Sequence, residues 1–182
     1  MQALELASTI RHDGHGGVAD DLATVAAAQQ WRPDVPWDED LRQELVTLRR
    51  AVRALFARAV SPGPPSPADA TRLMPVDEAL SVVNNAAALD PVAPQLSWSD
   101  TPSASLRSVR ADARARLLAG YARSTIEFLS GPDMAKLTAC TAPRCVRYFV
   151  KTHGRQEFCK PSCSNRARAA RFYDRRHADS GR

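Results

Sequence analysis

All four cysteines of the 182-residue chain fall within one short stretch, CTAPRCVRYFVKTHGRQEFCKPSC, as Cys140, Cys145, Cys159 and Cys163. The spacing is C-x4-C, then 13 residues, then C-x3-C. Zinc takes four ligands at tetrahedral corners, about 2.3 Å from each sulfur, and cysteine pairs on tight turns supply two apiece. Two disulfides, a redox thiol pair or incidental cysteines are the competing readings. The opening MQALELASTIRHDGHGG lacks the basic start of a signal peptide, so the chain reads as cytoplasmic. Thiols stay reduced in that compartment, which favours metal over disulfides. Four cysteines close the coordination shell, so the expectation is one structural Zn2+ rather than a catalytic one. His153 is the alternative fourth ligand, although it sits in an expected turn.

The residues around the thiols must bring the two pairs together. Val146 to Lys151 alternates as an extended strand, Thr152 to Arg155 can turn, and Gln156 to Phe158 can return. The second pair opens SCSNRARAARFYDRR, a helix expected from about Ser162 to Arg176. Knuckle, hairpin and ligands entering a helix make a treble-clef-like layout. In so small a module Phe149, Phe172 and Tyr173 are expected to form a mini-core rather than to stack on bases.

The last ligand runs straight into arginine. The basic residues of the chain are 22 Arg and 3 Lys. Residues 1–139 hold 14 Lys/Arg against 17 Asp/Glu, a balance of −3, whereas residues 140–182 hold 11 against 3, a balance of +8. Four thiolates around one zinc dication leave that tail at about +6, which suits an anionic partner. On a helix Arg168, Arg171 and Arg175 share a face. Arg166 and Arg176 flank them, and Arg147, Lys151 and Lys160 could widen the patch from the hairpin. Guanidinium groups so placed can grip phosphates or read guanine edges, which makes DNA the expected partner. Asn165 and Arg166 sit beside a ligand and could instead hold the knuckle from outside the metal shell. The bland reading is a solvated helix face with Asp174 pairing to Arg171. The alternative function is a zinc-stabilised module that binds RNA or protein.

Upstream, the pattern is helical. DDLATVAAAQQW, residues 20–31, opens on acidic residues suited to a helix start. From about Asp38 to Val60, Leu41, Leu45, Leu48, Val52, Leu55 and Phe56 form one apolar stripe. SPGPPSP then forces a loop at 61–67. Further helices are expected over Val76 to Leu89 and Leu106 to Ser130, with a brief strand near Leu96 and Trp98. The fold class is therefore mainly α: a helical domain over residues 1–139 that senses or dimerises, followed by a small four-cysteine zinc finger over 140–182. Its expected partners are a second copy, because a lone finger binds DNA weakly, and a small-molecule effector. His12 and His15 have H-x2-H spacing but no third ligand, so they read as a solvated loop, or as part of an effector pocket with Trp31 or Trp37. No run of about 20 apolar residues exists, which argues against a membrane partner. No nucleophile elbow, phosphate loop or dinucleotide fingerprint occurs, and Asp20-Asp21 reads as helix-start charge, so no enzyme is expected.

CTAPRC followed by FCKPSCSNRARAARFYDRR resembles the CGNR zinc finger, named for Cys-Gly-Asn-Arg at its last cysteine. In that family the finger follows an α-rich ABATE domain, and its members are regarded as stress-related bacterial transcription regulators. LELASTIR, DDLATVAAAQQW and LRRAVRALF resemble the ABATE part. Here the signature reads Cys163-Ser164-Asn165-Arg166, with serine for glycine, and Phe158 stands where tryptophan is expected. The resemblance implies zinc on the four cysteines and DNA binding by the finger.

Overall fold

The computed structural model describes residues 1–13, 17–69, 73–109 and 112–180, with side chains as far as Arg176. Six helices and three two-stranded hairpins are present among them. Helix α1 spans Gln2–Ala7, and strands β1 (Ile10–His12) and β2 (Val18–Asp20) form the first hairpin. Helices α2 (Val25–Trp31), α3 (Glu39–Val60) and α4 (Val76–Ala88) follow. Strands β3 (Val92–Trp98) and β4 (Pro102–Ser108) make a second hairpin, and α5 covers Ala113–Ser130. After a 3-10 turn at Pro132–Lys136 come β5 (Leu137–Ala139), β6 (Tyr148–Val150) and α6 (Pro161–Ser180).

Helix α3 is the centre of the molecule. Asp38 caps it by accepting from Leu41 N at 2.7 Å, satisfying one orphan donor of the first turn. All six residues of the expected stripe are buried. Helices α1, α4 and α5 pack around α3, and α5 contributes Leu118, Tyr121, Ala122 and Phe128 to the same core. Phe56 meets Phe128 edge-on at 5.4 Å between centroids. Two charged residues sit inside. Arg49 grips the carboxylate of Asp20 with both terminal nitrogens and also donates to Thr9 Oγ1. Arg53 faces the C-terminal module, as set out below.

Several local expectations give way to pairing. The helix in 20–31 starts only at Val25, where Thr24 caps it by accepting from Ala27 N. Asp20 and Asp21 are not helix-start charges: Asp20 holds Arg49, and Asp21 pairs with Arg11. The helix from Leu106 begins instead at Ala113, because 102–108 pairs with 92–98 along its whole length. Leu106 and Val109 are thus exposed and lie outside α5. Helical spacing over a few residues is a weak signal beside a full β register.

In the C-terminal module the hairpin is not between the cysteine pairs. Strand β6 pairs back with β5, Leu137 opposite Val150 and Ala139 opposite Tyr148, while 156–158 forms no strand. Strand alternation gives the physical reason. Leu137, Ala139, Tyr148 and Val150 share one face, which packs on the helical core. Phe149 points the other way, into a second cluster with the cysteines, Ala142 and Phe158. The hairpin is a wall shared by two cores. Phe172 and Tyr173 do not join this mini-core; both are exposed on α6.

Candidate metal centre and basic surface

The first cysteine pair sits in the turn of the β5–β6 hairpin. Cys140 N donates to Arg147 O at 2.9 Å, extending the ladder by one step, and Cys145 N donates to Ala142 O at 3.0 Å. Pro143 and Arg144 occupy the corners of that tight turn. Arg144 has φ 63°, the left-handed conformation that such a turn requires at its third residue. The second pair flanks the start of α6. Pro161 opens the helix, where its missing N–H costs nothing, and Cys163 N donates to Lys160 O. Cys159 N in turn donates to Cys140 Sγ at 3.5 Å, linking the two pairs.

The four sulfurs lie within 4.8 Å of one another. Cys145 and Cys159 are 3.8 Å apart and Cys159 and Cys163 are 3.5 Å apart. Sulfurs at the corners of a tetrahedron about 2.3 Å from zinc would be separated by about 3.8 Å, so the spacing fits the ion. It is too wide for disulfides, whose sulfurs lie about 2 Å apart. The crowded thiols also shift one another. Thiol hydrogen bonds from Cys140 and Cys159 pull Cys145 well below the usual thiol range. The same pairing, with Cys140 and then Cys145, pushes Cys159 well above it. Adjacent thiolates repel, and a dication among them removes that conflict. Cys140, Cys145 and Cys163 are buried, so the donor set is closed as well as compact. The cluster is suited to one structural zinc. His153 is exposed in the 152–155 turn and lies outside it.

Sequence reasoning missed how this module is tied to the helical domain. The guanidinium of Arg53 donates to Asp69 Oδ1 at 2.8 Å, to Ala7 O at 2.7 Å, to Ser66 Oγ at 2.9 Å and to Val146 O at 3.0 Å. It also lies 5.2 Å from the centre of the Tyr148 ring. The Tyr148 hydroxyl donates to Asp69 Oδ2 at 2.8 Å and accepts from Ser66 N at 3.1 Å. Burial pushes the Tyr148 hydroxyl pKa far up, so it stays a donor. The only sequence signal was an arginine on the apolar side of α3, one residue past Val52.

The expected basic residues divide into two groups. Arg147, Lys160 and Arg166 converge on a cleft of about 390 Å³ beside Cys145 and Cys163, together with Arg11 and His12 of β1 and with Asp13. Arg11 was not foreseen there; it is paired with Asp21 at 2.7 Å. Arg166 donates to Cys163 Sγ at 3.3 Å, and Asn165 is exposed. Arg168, Arg171, Arg175 and Arg176 are exposed along α6, beyond Ala167, the last buried residue among those described in that helix. Arg171 faces Glu157 at 3.7 Å rather than Asp174, and Arg176 stacks on Phe172. Lys151 continues the ladder through its N–H to Lys136 O. Of the effector-pocket residues, Trp31 packs against both Trp37 and Tyr121 in the helical domain, apart from the cleft that His12 lines. His15 lies outside the described residues.

A helical body whose last hairpin and helix carry a compact cluster of four cysteines defines a zinc-finger protein of treble-clef-like build. The chain belongs to the ABATE family, described as “Putative stress-induced transcription regulator”, which matches residues 2–132. Residues 136–176 match the CGNR zinc finger. No curated protein matches the chain. Among the described residues no helix is long and apolar enough to cross a membrane.

Proposed function

We propose that this protein is a DNA-binding transcription regulator of the cytoplasm, in which zinc held by Cys140, Cys145, Cys159 and Cys163 fixes an arginine helix for contact with DNA. The observation that carries the reading is the projection of α6. Arg168, Arg171 and Arg175 are exposed on a helix whose first turn bears Cys163, so the metal sets where that helix points. When bound, zinc supplies folding energy rather than reactivity, because four thiolates leave no open position. Arg166 neutralises part of the thiolate charge through Cys163 Sγ. Arg147 and Lys160 would meet phosphates at the base of the helix, while Arg168, Arg171, Arg175 and Arg176 reach the groove or the backbone. Asn165 stands exposed at the same edge.

Residues 1–139 would serve as the sensing and dimerising domain and 140–182 as the reading domain. An effector would suit the cleft of about 610 Å³ between α3, α4 and α5, with Leu48, Val82 and Leu118 inside and Asp40, Glu44 and Arg114 at its rim. Neither family brings an enzymatic activity to the chain, and the reading includes none. Selection of bound fragments from genomic DNA tests the function directly. Enrichment of a common site, lost in Arg168→Ala/Arg171→Ala/Arg175→Ala, is the expected result. Zinc-loaded protein that enriches nothing, while capturing RNA or a protein partner, would replace this reading with a non-DNA interaction module.

A further inference from the structure

The β3–β4 hairpin is an amphipathic ribbon with one apolar face that no described residue covers. The register pairs Pro94 with Leu106, Leu96 with Ala104 and Trp98 with Pro102. Strand alternation puts these six residues on one face, and Gln95, Ser97, Ser103, Ser105 and Arg107 on the other. Residues 93–98 and 102–107 are all exposed, with Leu96 at 71%, Trp98 at 73% and Leu106 at 57%. Unlike the β5–β6 hairpin, this one has no helical core beneath it among the described residues.

We propose that this face is the homodimer interface of the protein, packed against the same face of a second copy. The proposal names the surface of the dimer put forward above and rests on that reading, but not on DNA binding. Three observations select a second copy as the occupant. The face carries no charged side chain, so it does not suit nucleic acid or a charged peptide. Each ribbon edge is interrupted by a proline, which blunts it against an added strand. Val109 N donates to Pro91 O, which makes 91 and 109 a bonded pair. Alternation then turns the backbone of positions 94 and 102 outward, and both are proline, with no N–H to offer. The apolar face itself remains, and a two-fold axis can lay it on its copy. The area is adequate. One large aromatic, two leucines and three small apolar residues leave on the order of 500 Å² uncovered per chain, so two copies would hide about 1,000 Å², where specific interfaces begin.

Sedimentation of the zinc-loaded full chain without DNA, over roughly 1–100 μM, tests this. The wild type is expected to show a concentration-dependent dimer. Leu96→Ser/Trp98→Ser should raise the dimer dissociation constant by at least about 30-fold, as loss of a hot spot does. Both residues are exposed in the single chain, so circular dichroism and zinc content should not change. Gln95→Ala/Ser105→Ala, on the polar face, should leave the dimer intact. A wild type that stays monomeric at the top concentration overturns both the dimer and this interface. A dimer that survives Leu96→Ser/Trp98→Ser overturns the interface alone, and DNA selection remains an independent measurement.

Discussion

Arg53 in α3 donates to the carbonyl oxygen of Val146 at 3.0 Å, one residue past Cys145 of the metal cluster. A guanidinium 2% exposed in the helical domain therefore terminates at the knuckle of the finger. The two families meet at this contact, and it makes the finger a fixed extension of the helical core rather than a tethered bead.

Removing that guanidinium should affect both parts. Arg53→Met leaves Asp69 Oδ1 and the carbonyl of Ala7 without their donor and Val146 O with Ser66 Oγ as its remaining partner, and breaking a buried charge pair costs about 3–5 kcal/mol. Loss of support beside Cys145 should also weaken zinc about tenfold, within the range seen for groups that hold ligands from outside. Denaturant melts and competition with a chromophoric chelator would measure the two effects. Destabilisation with unchanged zinc affinity would confine Arg53 to the helical core.

Tyr148→Phe separates the ring from the hydroxyl. The ring should keep its edge-on contact with Phe56, 5.6 Å between centroids. Ser66 N would lose its acceptor and Asp69 a donor, a loss of about 1–3 kcal/mol for buried groups. Zinc stoichiometry should stay at one per chain. Thermal melts with metal analysis would check both statements.

The metal prediction itself is direct. Purified protein should carry one zinc, and Cys163→Ser should release it. Residues 2–132 contain no cysteine, so most helical signal should survive in that variant while protease cuts accumulate among the arginines of α6. Zinc affinity should fall with pH, because protons compete for the thiolates. Full retention of zinc in Cys163→Ser would require a replacement ligand.

Asp20 supplies a pH dependence. Burial alone would raise its carboxyl pKa, but hydrogen bonds and charge from Arg49 hold it below the ordinary carboxylate value. The stabilisation is complete above the unfolded-state value near pH ~4 and is lost as pH falls through the folded value. Asp20→Asn leaves Arg49, 4% exposed, without its counter-charge. Asp20 is about a third exposed, so the cost should be near the lower end, about 3 kcal/mol at neutral pH. The gap between variant and wild type should narrow on acidification. Stability curves at several pH values would show it, and a constant gap would contradict the assignment.

The basic cleft makes a graded prediction. If Arg147 and Lys160 each meet one phosphate, alanine at either should lower the slope of log affinity against log salt by about 0.9. Titration of labelled duplex at several salt concentrations reads that slope directly. Sequence preference should persist in both variants, because phosphate contacts position without specifying.

Much of this molecule was legible without coordinates. The four thiols at knuckle spacing announced the metal, since tetrahedral coordination constrains ligand type and local spacing. The α3 stripe was legible because helical periodicity over 22 residues leaves no other solution. Shorter signals failed where long-range pairing decided. Leu106 and Val109 had helical spacing, yet their segment found a partner strand at 92–98. The finger hairpin was misplaced because the strand that pairs with β6 lies before the first cysteine, in a segment with no strong local pattern.

Sequence alone therefore determined the metal, the helical class and the arginine tail, all of which depend on residue type and short spacing. Tertiary structure decided which face each strand presents and what meets it. It put Tyr148 and Val150 on the helical core and Phe149 with the cysteines, brought Arg53 to Val146 across 93 positions of the chain, and left the β3–β4 face bare. Such contacts depend on how distant segments pack, and no local pattern records that.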